Sequence, residues 1–184
     1  MSVMKRRAVF LDRDGVLNRA AVRDGKPYPP TSVDEIEILP DVPDALGQLK
    51  AAGFVLIVVS NQPDVARGTI RRECVEAINA YLAERLPIDR FIMCYHDDID
   101  NCVCRKPHPG MLLAGAREFD VDFSSSFMVG DRWRDIEAGA NVKCRTLFID
   151  YGYDGKQPIS SDFRVSSLPE AASIILSQVT HEKS

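Results

Sequence analysis

The segment Asp12-Arg13-Asp14-Gly15-Val16-Leu17-Asn18 sets two carboxylates at i and i+2. In extended chain those side chains point the same way, and Gly15 lets the backbone turn sharply behind them. Two carboxylates forced together repel unless a cation or a proton sits between them. Such a pair can divide labour between an ionised nucleophile and a proton carrier; a solvated Asp-Gly turn would have the same sequence. Ser60-Asn61-Gln62 offers a small hydroxyl and successive backbone N–H groups, suited to gripping a phosphate oxygen, although a plain polar turn would look identical. Cys94-Tyr95-His96 and Cys102-Val103-Cys104 are two donor pairs that can pinch one metal from two sides. Three thiolates and an imidazole make a closed tetrahedral shell, which is structural rather than catalytic and suits Zn²⁺. The competing readings are a free core thiol at Cys94, a redox pair at Cys102 and Cys104, and a surface His96. Arg105-Lys106-Pro107 supplies a guanidinium fork and a point charge for anions. In Val129-Gly130-Asp131-Arg132-Trp133-Arg134-Asp135, Asp131 and Asp135 stand one helical turn apart, and oxygen ligands drawn from several loops suit Mg²⁺. Asp131 is also expected to cap the following helix, Trp133 to pack, and Arg134 to lie on a solvated face.

These groups need elements to position them. Short apolar, β-branched runs alternate with segments of helical period, the pattern of a parallel sheet covered on both faces. Five strands are expected, over Ala8–Leu11, Phe54–Ser60, Arg90–Cys94, Phe127–Gly130 and Thr146–Asp150. The runs FVLIVV and TLFI do not alternate, as befits strands buried on both sides. Helices are expected after Asp41 as cap and up to Gly53, over Val75 to Leu86, from Pro109, after Asp131, and from about Ser167. Arg19 to Ser32, rich in Pro, Gly and charge, reads as a loop over the end of the first strand. The fold class is thus α/β: one doubly wound sheet of five strands, with Asp12, Ser60 and Asp131 at the carboxyl ends where ligands of open sheets bind.

The 184 residues carry 23 Lys+Arg against 27 Asp+Glu, a net charge of −4, which argues against a nucleic-acid binder driven by bulk charge. With 45% apolar residues, the chain can support one core, so a single domain over 1–184 is expected. No apolar run approaches the about 18 residues of a membrane span, and the apolar stretch after the basic N-terminus is too short for a secretory signal. Five cysteines are an odd set, clustered beside His96 as for a metal rather than a disulfide framework, so a cytoplasmic protein is expected. Cys74 and Cys144 read as small buried hydrophobes.

In this order the clusters resemble the haloacid dehalogenase superfamily of phosphohydrolases, whose four motifs are matched by DRDGVLN, SNQ, Lys106-Pro107 and GDRWRD across residues 12–135. The cysteine loop, 94–104, resembles that of a small, capless, zinc-containing branch that includes heptose bisphosphate and histidinol-phosphate phosphatases. The resemblance implies an aspartyl-phosphate mechanism, with Asp12 as nucleophile and Asp14 as acid and base. It implies Mg²⁺ held by Asp12, the Asp14 carbonyl and Asp131, with Asp135 steadying a bound water. Ser60 and Lys106 would hold phosphoryl oxygens, Asn61 would belong to the same phosphate site, and Arg105 and Arg132 would recognise the rest of the substrate. It implies Zn²⁺ on Cys94, His96, Cys102 and Cys104, and a monomer acting on a small phosphorylated metabolite, a sugar bisphosphate, with neither nucleic acid nor membrane as partner. Histidinol phosphate is the alternative, its amine facing Asp97, Asp98 and Asp100; a nucleic-acid 3′-phosphatase or a non-catalytic zinc module stand behind it. The residues after Gln62, Pro63-Asp64 and then Ala66-Arg67-Gly68, depart from the small residue and glycine usual in the heptose branch.

Overall fold

Four consecutive apolar residues give strand β1 (Ala8–Leu11) nothing to show to water, and all four are buried in the computed structural model, which describes residues 5–181. After β1 come a hairpin of β2 (Ala21–Arg23) and β3 (Lys26–Tyr28), helix α1 (Val42–Ala51), β4 (Val55–Asn61), α2 (Arg72–Ala83) and β5 (Arg90–Cys94). Helix α3 (Gly110–Phe119), β6 (Phe127–Gly130), α4 (Trp133–Asn141), β7 (Arg145–Ile149), β8 (Phe163–Val165) and α5 (Leu168–His181) complete the chain. Six strands form one parallel sheet in the order β5-β4-β1-β6-β7-β8.

Alternate residues of each strand feed two separate cores, as the period of two demands. Val9, Leu11, Leu56 and Val58 pack with Leu46 and Leu49 of α1, Ile78 and Leu82 of α2, and Leu168 and Ile175 of α5. Ala8, Phe10, Val55 and Ile57 face the other way, onto Met111 and Leu112 of α3 and Ala138 of α4. Each fully buried aliphatic side chain contributes about 1.5–3 kcal/mol, so the two cores fix the sheet on which the site is mounted. Gly139 lets α4 approach β6, since a Cβ there would lie 2.6 Å from the Cβ of Met128.

The five expected strands are present with their ends within a residue. The sheet gains a sixth strand, β8, whose three residues are too short for a recognisable pattern. The stretch 19–32 is not all loop: it contains the β2–β3 hairpin, paired Ala21 to Tyr28, whose turn and charge residues mask two three-residue strands. Asp41 does not cap α1 with its side chain; it adopts a left-handed backbone (φ 60°), and only its carbonyl accepts, from Ala45. Pro109 is the residue before α3 rather than its first. Asp131 does not cap α4 either, because Asp135 takes that task by accepting the Arg132 backbone N–H at 2.9 Å. Among the described residues no helix is long and apolar enough to cross a membrane.

Candidate active site and metal clip

β1, β4 and β6 lie side by side, so their carboxyl ends bring Asp12, Ser60 and Asp131 to one crevice of about 390 Å³, which Asp14, Arg105, Lys106 and Asp135 also line. Lys106 reaches in from the segment after the cysteines. Its buried ammonium donates to Asp12 Oδ1 at 2.8 Å and to the Val59 carbonyl at 2.7 Å, and pairs with Asp135 Oδ1 at 2.6 Å. The carboxylates of Asp12, Asp131 and Asp135 offer oxygens within 4.8 Å of one another. Three carboxylates around one ammonium leave an excess of two negative charges, and Asp131 Oδ1 is buried without a hydrogen-bond partner. Burial pushes the Asp12 carboxyl up to about 6 against the pull of Lys106, with Asp135 and Asp14 adding to the rise. Burial and then Asp12 and Asp135 push Asp131 well above the carboxylate range. Burial would lower Lys106, but Asp12 and Asp135 outweigh it and hold the ammonium charged. An orphaned oxygen in an over-negative, desolvated oxygen cluster is what a hard divalent cation such as Mg²⁺ would satisfy.

Two glycines permit this closeness. A Cβ at Gly15 (φ 86°) would sit 2.2 Å from Asp131 Oδ2, and one at Gly130 would sit 2.2 Å from the Asp135 Cβ. Asp14 stands outside the cluster of three carboxylates. It accepts a fork from Arg13 (Nε 3.2 Å, Nη2 3.1 Å), with Asn18 at 3.0 Å and Gln62 at 2.9 Å. Arg13 is fully buried and also donates to Asn79 of α2. Sequence reasoning missed Asn79 and gave neither Arg13 nor Gln62 its role of holding Asp14; for Arg13 the available signal was that the residue between two same-facing carboxylates points into the fold, where a guanidinium needs partners. Ser60 is buried and its hydroxyl accepts from Gln62. Asn61 lines the crevice, but its amide is engaged with the Lys106 backbone, donating to its carbonyl and accepting its N–H, both at 3.0 Å.

The two cysteine pairs converge. Cys94 Sγ lies 3.5 Å from His96 Nδ1, 3.6 Å from Cys102 Sγ and 3.2 Å from Cys104 Sγ; Cys104 Sγ lies 3.3 Å from His96 Nδ1 and 3.4 Å from Cys102 Sγ. A disulfide would need about 2.05 Å. Donors about 2.0–2.3 Å from a central ion stand about 3.5–3.8 Å apart in a tetrahedron, so this spacing and donor set fit zinc. Burial raises the Cys94 thiol, and the adjacent thiols add to this, so the cluster calls for a cation before its sulfurs ionise together. Cys144 is a buried thiol, pushed up to about 12 by burial, whereas Cys74 is only half-buried.

The cysteine loop also organises the entrance. Asp97 takes a fork from Arg67 (2.7 and 2.8 Å) and is held at about 2; Asp98 binds Arg105 at 2.7 Å and Arg134 at 3.0 and 3.2 Å. Asp100 caps the Asp97 N–H. Arg134 is therefore not a solvated charge but part of the crevice wall, also donating to the Lys106 carbonyl. Arg132 is exposed and lies over the ring of Tyr153. Trp133 is half-buried and also lines the crevice.

Comparison with known proteins agrees with this arrangement. The sequence profile of the haloacid dehalogenase-like hydrolases matches residues 28–143. The D-glycero-beta-D-manno-heptose-1,7-bisphosphate 7-phosphatase of Pasteurella multocida is 35% identical over 169 residues, 85% of this chain and 86% of that protein. The enzyme of the same name from Escherichia coli K12 is 37% identical over 154 residues, 76% of this chain and 78% of that one. The crystal structure of D,D-heptose 1,7-bisphosphate phosphatase from B. bronchiseptica, complexed with magnesium and phosphate, superposes with a TM-score of 0.79 at 31% identity, covering 94% of this chain and 99% of that chain.

Proposed function

We propose, since the chain belongs to the haloacid dehalogenase-like hydrolase family, that it is a Mg²⁺-dependent phosphomonoesterase that removes the 7-phosphate of a D-glycero-D-manno-heptose 1,7-bisphosphate. The observation that carries the reading is the convergence of Asp12, Asp131, Asp135 and Lys106 at the carboxyl edge of three adjacent strands. Asp12, the Asp14 carbonyl and Asp131 would hold Mg²⁺, with Asp135 on a bound water. Bound there, the ion would neutralise charge on the phosphoryl oxygens. Cys94, His96, Cys102 and Cys104 would hold Zn²⁺ as a clip that orders the loop leading to Lys106.

Lys106 and Ser60 hold phosphoryl oxygens while a carboxylate oxygen of Asp12 attacks phosphorus in line. The bond to the sugar oxygen breaks as Asp14 gives its proton to the departing alkoxide, leaving an aspartyl-phosphate. Asp14 then takes a proton from water, the water oxygen bonds to phosphorus, and Asp12 is released with inorganic phosphate. All these groups are supplied by one copy of the chain, which supports its acting as a single domain and a monomer. The relatives' names support the substrate, as do the loop aspartates. Asp97 and Asp98 are neutralised by arginines, which removes two of the three acidic neighbours that the amine of histidinol phosphate would need. The absence of disulfide pairing among the cysteines is in keeping with a cytoplasmic site of action.

The test is Mg²⁺-dependent phosphate release from a panel of phosphorylated metabolites, including both anomers of heptose 1,7-bisphosphate and histidinol phosphate. The heptose bisphosphate is expected to show the highest kcat/KM. No release from any member, or a higher value for histidinol phosphate, overturns the reading.

A further inference from the structure

The donors that hold the Asp14 carboxylate come from two places. Oδ1 accepts from Arg13 Nε at 3.2 Å and Asn18 Nδ2 at 3.0 Å, while Oδ2 accepts from Arg13 Nη2 at 3.1 Å and Gln62 Nε2 at 2.9 Å. Arg13 and Asn18 belong to the same turn as Asp14, so they fix the carboxylate against its own segment. Gln62 follows the end of β4, and among the described residues it is the donor that reaches Asp14 from another strand of the sheet.

Gln62 is itself held firmly. It is buried, and its backbone N–H donates to the Cys94 carbonyl at 2.7 Å, which fastens the end of β4 to the end of β5. Its amide nitrogen carries two hydrogens, of which one meets Asp14 and the other meets Ser60 Oγ at 3.0 Å. A carboxylate already forked by a guanidinium is an acceptor, so the nitrogen end of the amide faces it. Ser60 therefore accepts, and its own hydrogen is left to donate to a phosphoryl oxygen. A single NH₂ group thus spans the side chain proposed to grip the phosphate and the side chain proposed to move the proton. Asn61, next in sequence, is not free for this task, because the Lys106 backbone occupies its amide.

We infer that Gln62 is the positioning residue of the proton transfer: its amide sets the Asp14 carboxylate at a fixed distance from the Ser60 hydroxyl, so that a phosphate gripped by Ser60 presents its ester oxygen to Asp14. Without that amide, Asp14 keeps its fork from Arg13 but loses its register with the phosphate. Attack by Asp12 is held separately, through Lys106. The inference rests on the phosphomonoesterase reading and is independent of which sugar is bound.

The experiment measures kcat/KM in saturating Mg²⁺ on two esters. One is the sugar phosphate that ranks first in the substrate panel, whose alkoxide needs a proton to leave. The other is p-nitrophenyl phosphate, whose phenolate leaves without one; acetyl phosphate replaces it where the ring does not enter. In Gln62→Met, which keeps the length and removes the donor, kcat/KM for the sugar phosphate is expected to fall about ten- to a hundredfold. The value for p-nitrophenyl phosphate is expected to fall no further than in Ser60→Ala, which weakens the phosphate grip for both esters alike. On p-nitrophenyl phosphate kcat is nonetheless expected to drop, with a burst of p-nitrophenolate, because Asp14 must still take a proton from the water that frees Asp12. Gln62→Asn, whose shorter amide cannot span both partners, is expected to show the same split and carries the test where Gln62→Met does not fold. A fall by the same factor on both esters assigns Gln62 to the grip or to the fold alone and overturns the inference. So does a sugar phosphate value within about twofold of wild type in the folded variant. A wild-type protein that releases phosphate from neither ester sinks the phosphatase reading instead, which separates the two failures.

Discussion

Asp12 has neighbours that both need it and repel it. Lys106 donates to it, while Asp131 and Asp135 crowd it in a desolvated site. Asp12→Asn removes the proposed nucleophile and one negative charge while keeping the shape, so phosphate release is expected to fall by at least about 10⁴-fold with the thermal midpoint unchanged or raised. Turnover near the wild-type level would rule out the covalent route. Arg13 makes the complementary case. Arg13→Met leaves Asp14 without its fork and Asn79 without a donor, and unfolding by urea is expected to show a loss of about 3 kcal/mol, the scale for breaking a buried pair. The acids and the lysine were legible because their chemistry shows in residue type and spacing alone. The partners of Arg13 and Gln62 and the attachment of Asn61 to Lys106 were not, since each depends on which groups meet only after folding.

At the scale of elements, the cysteine loop is a continuation of β5 that leads to Lys106. Cys94 ends the strand, Cys104 lies two residues before the lysine, and the loop between them presents Asp97 and Asp98 to three arginines. Elemental analysis of the purified protein is expected to give about one zinc per chain that survives a magnesium wash, the stoichiometry of one closed four-donor site. Cys104→Ser is expected to lose that zinc and to lower kcat, because both Lys106 and its arginine neighbours lose their anchor. A zinc-free protein with full activity would refute the clip. The close approach of α4 to β6 is equally testable. Gly139→Ala puts a methyl against Met128 backed by the sheet, and a thermal melt should report a loss of about 1–3 kcal/mol, as for overpacking. Buried strands and amphipathic helices were readable from periodicity. The hairpin and β8 were not, because three residues carry too little pattern to outweigh their turn-like composition.

For the whole molecule, the acidic cluster couples stability to pH and to metal. In Mg²⁺-free buffer the Asp12 carboxyl is raised from 3.8 to about 6, and Asp131 is raised as well. The folded chain therefore binds more protons than the unfolded chain between those values, and stability falls as pH rises through that window. The melting temperature without Mg²⁺ is expected to be higher at pH 5 than at pH 7.5, with millimolar Mg²⁺ restoring the difference at pH 7.5. A melting curve that does not respond to Mg²⁺ at pH 7.5 would show that the carboxylates do not share an ion. The hairpin that roofs the crevice has a different consequence. Its tip is latched to the following loop by one main-chain hydrogen bond, at a glycine whose missing side chain leaves room for Asp154. A side chain at position 25 would have to push the Asp154 carboxylate aside, on a backbone (φ 69°) that L residues rarely adopt, so Gly25→Ala is expected to loosen the tie between the hairpin tip and that loop.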